Sequence, residues 1–225
     1  MTHLVSAFPL FFEPGDRLTL EEFLARWEQM PGLKFAELID GIVHMPSPLS
    51  MEHGRRDGQV QLLLSFYALR TGVCEMISNA TWLMAGSAPQ PDTALRLLPR
   101  FGGRTKQSGK LAAGPPELVV EVSSSSRSID LGPKLALYQR AGVLEYLAVL
   151  LEEQRMEWRR LVNGSYLPLA PGPGVLKSSV FPGLWLDEAA FWANDSKQLI
   201  QVLEQGLASE ECRLFTEGAG GDSPR

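Results

Sequence analysis

The sequence predicts a single α/β domain, and three observations predict it. The chain has 225 residues and 44% apolar content, enough for one well-buried core. Its apolar segments alternate between short β-branched runs and longer stretches with helical periodicity. Tight-turn pairs, Asp40-Gly41 and Asn163-Gly164, each separate two short apolar runs. The domain is expected to span residues 1–215, with the Gly-rich polar residues 216–225 as a disordered tail.

Thr19 to Trp27 opens the element order. Thr19 followed by Glu22 reads as a capping box, and apolar residues at helical spacing follow. Phe35 to Ile39 and Ile42 to Met45 flank Asp40-Gly41 as a hairpin, which places Glu37 on a strand beside a tight turn. Pro46 and Pro48 stop that strand. Ser50 begins a second helix, to about Arg70, with Leu62, Leu63, Phe66 and Leu69 as its apolar face and Gly72 as its end. Two strands, Cys74 to Ser78 and Thr81 to Met84, lead into a third that starts at Pro91-Asp92.

Between Pro99 and Pro116 the periodicity is lost, which describes a long loop carrying Arg100, Arg104, Lys106 and Lys110. It could embrace a backbone phosphate or be a solvated insertion. Glu117 to Val122 is a β-branched strand, and after a serine-rich turn Asp130 caps a helix through Ala141, ended by Gly142. Three strands follow, Glu145 to Leu151, Arg155 to Leu161 and Tyr166 to Leu169, and then two short helices, Asp187 to Trp192 and Ser196 to Leu207.

Bulk properties narrow the function classes. The longest apolar runs fall far short of the roughly 20 residues of a membrane helix. The start, Met1 to Val5, lacks a basic region ahead of an apolar one, so a cytoplasmic location is expected. Cys74 and Cys212 lack zinc-site spacing and read as reduced thiols. A net charge of −5 counts against a nonspecific nucleic-acid coat protein, although a local basic patch could still steer a polyanion.

Two carboxylates carry the chemistry. Asp92 starts one strand and Glu121 ends another, and in an open α/β sheet such groups can converge on one point that attracts a cation. Magnesium prefers oxygen ligands, usually one or two carboxylates with water and substrate phosphate, and manganese can substitute. Glu121 is the more informative, because Val119, Val120 and Val122 mark a buried strand where an unpaired carboxylate is costly. Asp92 alone could simply begin a turn. Lys134, in the helix after Glu121, could reach back to the strand end to stabilise charge or orient water, or could be an ordinary surface lysine. His53 reads equally as an exposed polar residue or a proton carrier beside the site.

The order of these residues is informative beyond each fragment. Glu37-Leu38-Ile39-Asp40-Gly41, His53, Pro91-Asp92, Glu117-Leu118-Val119-Val120-Glu121-Val122, Asp130, Lys134, Tyr138 and Gly142-Val143-Leu144-Glu145-Tyr146 together resemble the PD-(D/E)XK nuclease superfamily. Within it, the chain is similar to the Uma-type restriction endonucleases of bacteria, from about Leu18 to about Phe191. The resemblance implies a restriction-endonuclease-like fold, a four-stranded mixed central β-sheet flanked by helices, with extra β-hairpins. It also implies that Asp92 and Glu121 are metal ligands on adjacent strands and that Glu37 adds an acidic group. The superfamily lysine stands two residues after the second acid, where this chain has Ser123. Lys134 takes the place that the migrated lysine has in Uma-type chains, with Tyr138 one turn further along. Leu147 and Leu151 replace the tryptophan and aspartate common in the family's next strand.

The expected function is metal-dependent hydrolysis of phosphodiester bonds in nucleic acid, DNA being the expected substrate. The metal would be held by Asp92, Glu121 and the Val122 carbonyl, with Lys134 orienting or deprotonating water and Glu37 tuning the metal. Glu145 and Tyr138 are expected to support the site or to be structural rather than react. The alternative is a nuclease-like scaffold that binds nucleic acid or protein without cutting. A homodimer would let two sites cut both strands, and a monomer that nicks one strand fits equally well.

Overall fold

A computed structural model of the chain describes residues 11–169 and 174–218. Helix α1 (Leu20–Glu28) begins at the capping box expected from Thr19 and Glu22, whose side chains and backbones bond reciprocally. Strands β1 (Glu37–Ile39) and β2 (Ile42–His44) pair antiparallel, with Leu38 opposite Val43. Asp40 and Gly41 both take positive φ at the turn, the backbone that an Asp-Gly pair adopts most readily.

Helix α2 (Met51–Thr71) is capped by the Ser50 side chain and ends on left-handed Gly72. Its buried face is His53, Arg56, Val60, Leu63, Leu64 and Tyr67, which keeps Leu63 of the face expected from sequence, with Phe66 partly buried against the same core. Leu62 is 48% exposed and Leu69 82%. The helix carries apolar residues on two faces, and the sheet selects the one whose residues fill the core. Arg56 is buried because its guanidinium donates to the Phe191 and Trp192 carbonyls and lies over both rings.

Strands β3 (Cys74–Ser78) and β4 (Trp82–Leu83) precede β5 (Thr93–Leu97). The supposed loop after it is structured: a short 3-10 turn, Pro99–Phe101, then hairpin β6 (Lys106–Ser108) and β7 (Leu111–Ala113), with β7 pairing parallel to β4. Arg104 is held by Glu117 at 3.2 Å and by the Gly142 carbonyl at 2.8 Å, and Arg100 reaches the Gly72 carbonyl. Backbone pairing therefore orders this segment despite its lack of periodicity.

Strand β8 (Leu118–Ser123) is buried along its whole length. A continuous helical run follows, α3 (Arg127–Ile129), a π-helical stretch at Asp130–Lys134, and α4 (Leu135–Ala141) ended by left-handed Gly142. Asp130 is thus inside the run and not its cap. Strands β9 (Glu145–Leu150), β10 (Arg155–Val162) and β11 (Ser165–Pro168) form a meander onto the sheet, β10 and β11 turning at Asn163-Gly164 as expected. The chain closes with β12 (Val175–Lys177), β13 (Trp185–Asp187), α5 (Glu188–Trp192), α6 (Ser196–Leu207) and α7 (Glu210–Gly218). The β12–β13 hairpin and α7 go beyond the sequence reading. Of the expected tail, 216–218 belong to α7, and 219–225 lie outside the described residues.

The central sheet has six strands in the order β11-β10-β9-β8-β5-β3, with β8 and β9 parallel and the other neighbours antiparallel. It exceeds the expected four because β10 and β11 extend the sheet beyond β9. One face packs α2, α5 and α6 through Val60, Tyr67, Val120, Trp158, Phe191 and Leu203. The other packs the helical run through Val119, Tyr138, Tyr146 and Ala148. A third cluster, Phe12, Phe23, Leu38 and Val43, docks α1 and the first hairpin. No helix among the described residues is long and apolar enough to cross a membrane.

Candidate functional site

Strand register brings the two acids together. Thr93 lies opposite Val120 in the antiparallel β5–β8 pair, so Asp92, one residue before β5, comes opposite Glu121 and on the same face of the sheet. Asp92 Oδ2 accepts the Val122 N–H at 2.7 Å. In a strand the C=O of a residue points to the same side as its N–H, so the Val122 carbonyl also faces the Asp92 side, past the end of β5. His53, from the first turn of α2, brings Nε2 to 3.4 Å from the same Asp92 oxygen. It is buried, and its Nδ1 has no hydrogen-bond partner among the described residues.

Glu121 is only 3% exposed, and Oε1 takes two partners: Lys134 Nζ at 2.7 Å and Tyr138 Oη at 2.7 Å. The same ammonium lies 3.0 Å from Glu37 and 3.8 Å from Asp130. Asp130, Lys134 and Tyr138 are spaced four apart, which lines them up along one side of the helical run. The run widens here: the Leu135 N–H bonds to the Asp130 carbonyl, five residues back, across Pro133, which has no N–H to give. Ser123 and Ser126 donate hydroxyls to Asp130 Oδ2 at 2.8 and 2.6 Å, and Tyr146 donates to the Asp130 carbonyl. Glu37 is fixed from another direction, since Oε1 accepts the Gln90 N–H at 2.6 Å.

The electrostatic balance is acidic. Glu37, Glu121 and Asp130 surround the ammonium of Lys134, and Asp92 adds a fourth carboxylate to the same cavity. Burial pushes the Glu121 carboxyl well above the ordinary range; Lys134 pulls it back, while the neighbouring acids raise it further. Asp130 is raised by burial in the same way, against the pull of Lys134 and its two serine partners. Burial alone would lower the Lys134 ammonium, but Glu121, Glu37 and Asp130 together hold it above its ordinary value. The hydrogen bond to Asp92 raises His53 against the opposing effect of burial, and burial raises Asp57 nearby.

This donor set fits a hard divalent cation. Asp92, Glu121 and the Val122 carbonyl offer oxygens, and a local surplus of carboxylates is what such an ion offsets. Among the described residues no three His, Cys, Asp or Glu side chains are placed so that together they could hold a metal ion. Magnesium does not need three, because it commonly keeps several waters and takes one or two carboxylates plus substrate phosphate.

Above these groups is a cavity of about 600 Å³. Glu37, His53, Asp92, Glu121, Asp130 and Lys134 line its floor, and Phe35, the Met45–Ser50 segment and Ser124–Ser126 line its walls. All four side chains singled out from sequence, Asp92, Glu121, Lys134 and Glu37, therefore meet at one place. Tyr138 supports them as expected, and His53 joins them as a buried partner of Asp92. Glu145 lies at the other end of β8–β9 and is taken up by Trp158, Ser178, Ser179 and Val180. The basic segment is also remote: Arg104 is anchored at the Glu117 end of β8, about 13 Å from Glu121 at strand rise. Asp130, read from sequence as a cap, is instead the buried partner of Lys134; its four-residue spacing from Lys134 and Tyr138 is the signal that could have shown it.

Comparison with known proteins bears on the fold and the family. No curated protein matches the chain in sequence. Among solved structures, the chain is similar to a protein from Anabaena variabilis ATCC 29413, described as "a putative nuclease belonging to DUF820". The TM-score is 0.56 at 13% identity, over 83% of this chain and 99% of that one, a likeness of fold. The family model named Uma2, "Putative restriction endonuclease", matches residues 20–189. That match covers most of the chain, and the chain belongs to the Uma2 family.

Proposed function

We propose that the protein is a metal-dependent endonuclease that hydrolyses phosphodiester bonds in nucleic acid, with DNA as substrate and magnesium, or manganese in its place, held by Asp92, Glu121 and the Val122 carbonyl. The observation that carries this reading is the convergence of Asp92, Glu121, Glu37 and Lys134 on one cavity floor. When bound, the metal supplies charge to offset a phosphate oxygen and lowers the pKa of a water.

The protein groups divide the remaining work. Lys134 is held protonated by Glu121, Glu37 and Asp130, so it acts as a fixed positive charge and not as a base. Its ammonium stabilises the charge that develops on the phosphate and orients the attacking water. Glu37, across the ammonium from Glu121 and facing the cavity, is the carboxylate to which the proton of that water can pass. Tyr138 keeps Glu121 in position by a hydrogen bond, and His53 keeps Asp92 by an ion-pair contact. Asp130, gripped by two serines, holds the lysine end of the helical run.

The test is cleavage of plasmid and oligonucleotide DNA by purified protein in magnesium or manganese, compared with chelator. Asp92→Ala and Glu121→Ala should each abolish metal-dependent cleavage while the circular dichroism spectrum stays that of the parent. Equal cleavage by parent and both variants would remove this reading. The reading of a non-cutting scaffold draws on the engagement of Glu121 by both Lys134 and Tyr138. Titration calorimetry separates the two, because a scaffold should bind magnesium no better than its Asp92→Ala variant.

A further inference from the structure

We propose that the site takes an unpaired nucleic-acid strand, with a base beside the scissile phosphate stacked on Phe35 and Leu49. This rests on the nuclease reading and adds to it the form of the substrate. The first observation is depth. Glu121 and Lys134 are 3% and 4% exposed, so two of the groups that would meet the metal and the phosphate lie at the bottom of the cavity. A phosphate in a regular duplex is flanked by its own base pairs and the opposite strand, and the bulk of the duplex keeps it from descending to a recessed floor. A single strand can bend its backbone into the cavity and swing a base aside.

The second observation is the wall. Phe35 is 46% exposed and Leu49 68%, and both line the cavity together with Met45, Pro46 and Pro48. Apolar surface left open beside an acidic floor has little use for a bare phosphate. It suits the flat face of a base, because stacking on aromatic and apolar side chains is the general means of gripping unpaired strands. The cavity of about 600 Å³ is of the size that holds a small molecule rather than a lone phosphate group.

The third observation is charge. Proteins that hold duplexes do so with many Lys and Arg contacts to phosphates. Among the described residues lining this cavity Lys134 is the only Lys or Arg, and it is already engaged by carboxylates. With so little positive charge at the cavity, stacking on bases has to supply much of the grip at its mouth.

The experiment is fluorescence anisotropy with a short labelled single-stranded deoxyoligonucleotide and with the same sequence as a blunt duplex. Calcium replaces magnesium so that binding is read without turnover. The single strand should bind at least about tenfold more tightly than the duplex. Phe35→Ala should weaken single-strand binding by about tenfold, with a smaller loss for Leu49→Ala, while Phe35→Trp keeps it. Quenching of a 2-aminopurine base in the strand should disappear with Phe35→Ala. Both side chains are exposed, so truncation leaves the core intact. Equal affinity for duplex, or unchanged single-strand affinity and quenching in Phe35→Ala, overturns the proposal. Cleavage in magnesium, run in parallel, separates the two readings. A protein that cuts duplex at least as fast as single strand keeps the nuclease reading and loses this one. A protein that stacks the base but cuts neither substrate keeps this one and loses hydrolysis.

Discussion

Lys134 Nζ lies 2.7 Å from Glu121 Oε1, with both side chains almost completely buried. A helix lysine and a strand glutamate meet in this way because the π-helical stretch turns Lys134 onto the end of β8, where Tyr138 completes the grip on the same oxygen. Buried pairs of this kind contribute little net stability, yet removing one partner is severe because the other charge is left in a dry environment.

Lys134→Met should therefore destabilise the protein by about 3 kcal/mol near neutral pH and remove cleavage. The loss should shrink at pH 5, where Glu121 can take a proton in place of its partner. Lys134→Met combined with Glu121→Gln should be more stable than Lys134→Met alone. Urea unfolding of the three variants at both pH values measures this, and equal stability of the single and double variants would show that the pair is not coupled.

The metal-free protein should lose stability as pH rises. Glu121, Asp130 and Asp57 have carboxyl groups raised above their ordinary values, each chiefly by burial. The folded state thus keeps protons that the unfolded chain gives up, and stability falls from about pH 4, where unfolded carboxyls titrate, up to the raised folded values. His53, raised by Asp92, acts in the same direction: its contribution is complete below its unfolded pKa and is lost as pH passes the folded one. Thermal unfolding in chelator from pH 5 to pH 8 should show a falling midpoint, with a shallower slope for Glu121→Gln. A flat or rising profile would mean that the surplus of negative charge is not felt.

Magnesium should reverse that loss. At a concentration near a hundred times its dissociation constant, a bound ion adds about 2.7 kcal/mol, a rise of roughly 5–10 °C in the midpoint for a chain of this length. The rise should be larger at pH 8 than at pH 6, because the ion competes with protons for the carboxylates. Asp92→Ala and Glu121→Ala should abolish it. A shift that persists in both variants would place the ion elsewhere.

Gly206 tests the packing of the C-terminal helices. A Cβ there would fall inside contact distance of the Gly183 carbonyl and lie 2.8 Å from Trp185 Cγ. Gly206→Ala in a free helix would stabilise by about 1 kcal/mol. Here it should destabilise by about 2 kcal/mol, which chemical denaturation can measure. A stabilised variant would mean that α6 does not dock on β13 this closely.

Local signals explain which parts of the fold were legible in sequence. Thr19 with Glu22, Asp40-Gly41, Gly72, Gly142 and Asn163-Gly164 each act over a few residues, and each ends or turns an element as read. The face of α2 was legible only at Leu63 and Phe66, because Leu62 and Leu69 repeat at helical spacing just as Val60 and Tyr67 do, and only tertiary packing chooses between them. The β6–β7 hairpin escaped notice because its strands are three residues each and polar on one arm. At the site, the family resemblance pointed to Asp92, Glu121, Lys134 and Glu37. The burial of His53 against Asp92 depends on a contact between distant elements, whereas the enclosure of Asp130 by Ser123 and Ser126 is local and becomes visible only once the run is known to pass through Asp130 rather than start there.

The most direct measurement is a crystal structure of the protein soaked with manganese, read by anomalous scattering. One peak should stand about 2.1 Å from oxygens of Asp92 and Glu121 and near the Val122 carbonyl, with the Lys134 amine beside it. Anomalous density confined to other parts of the surface, with Asp92 and Glu121 still engaged only by protein groups, would contradict the metal centre on which this account of the function stands.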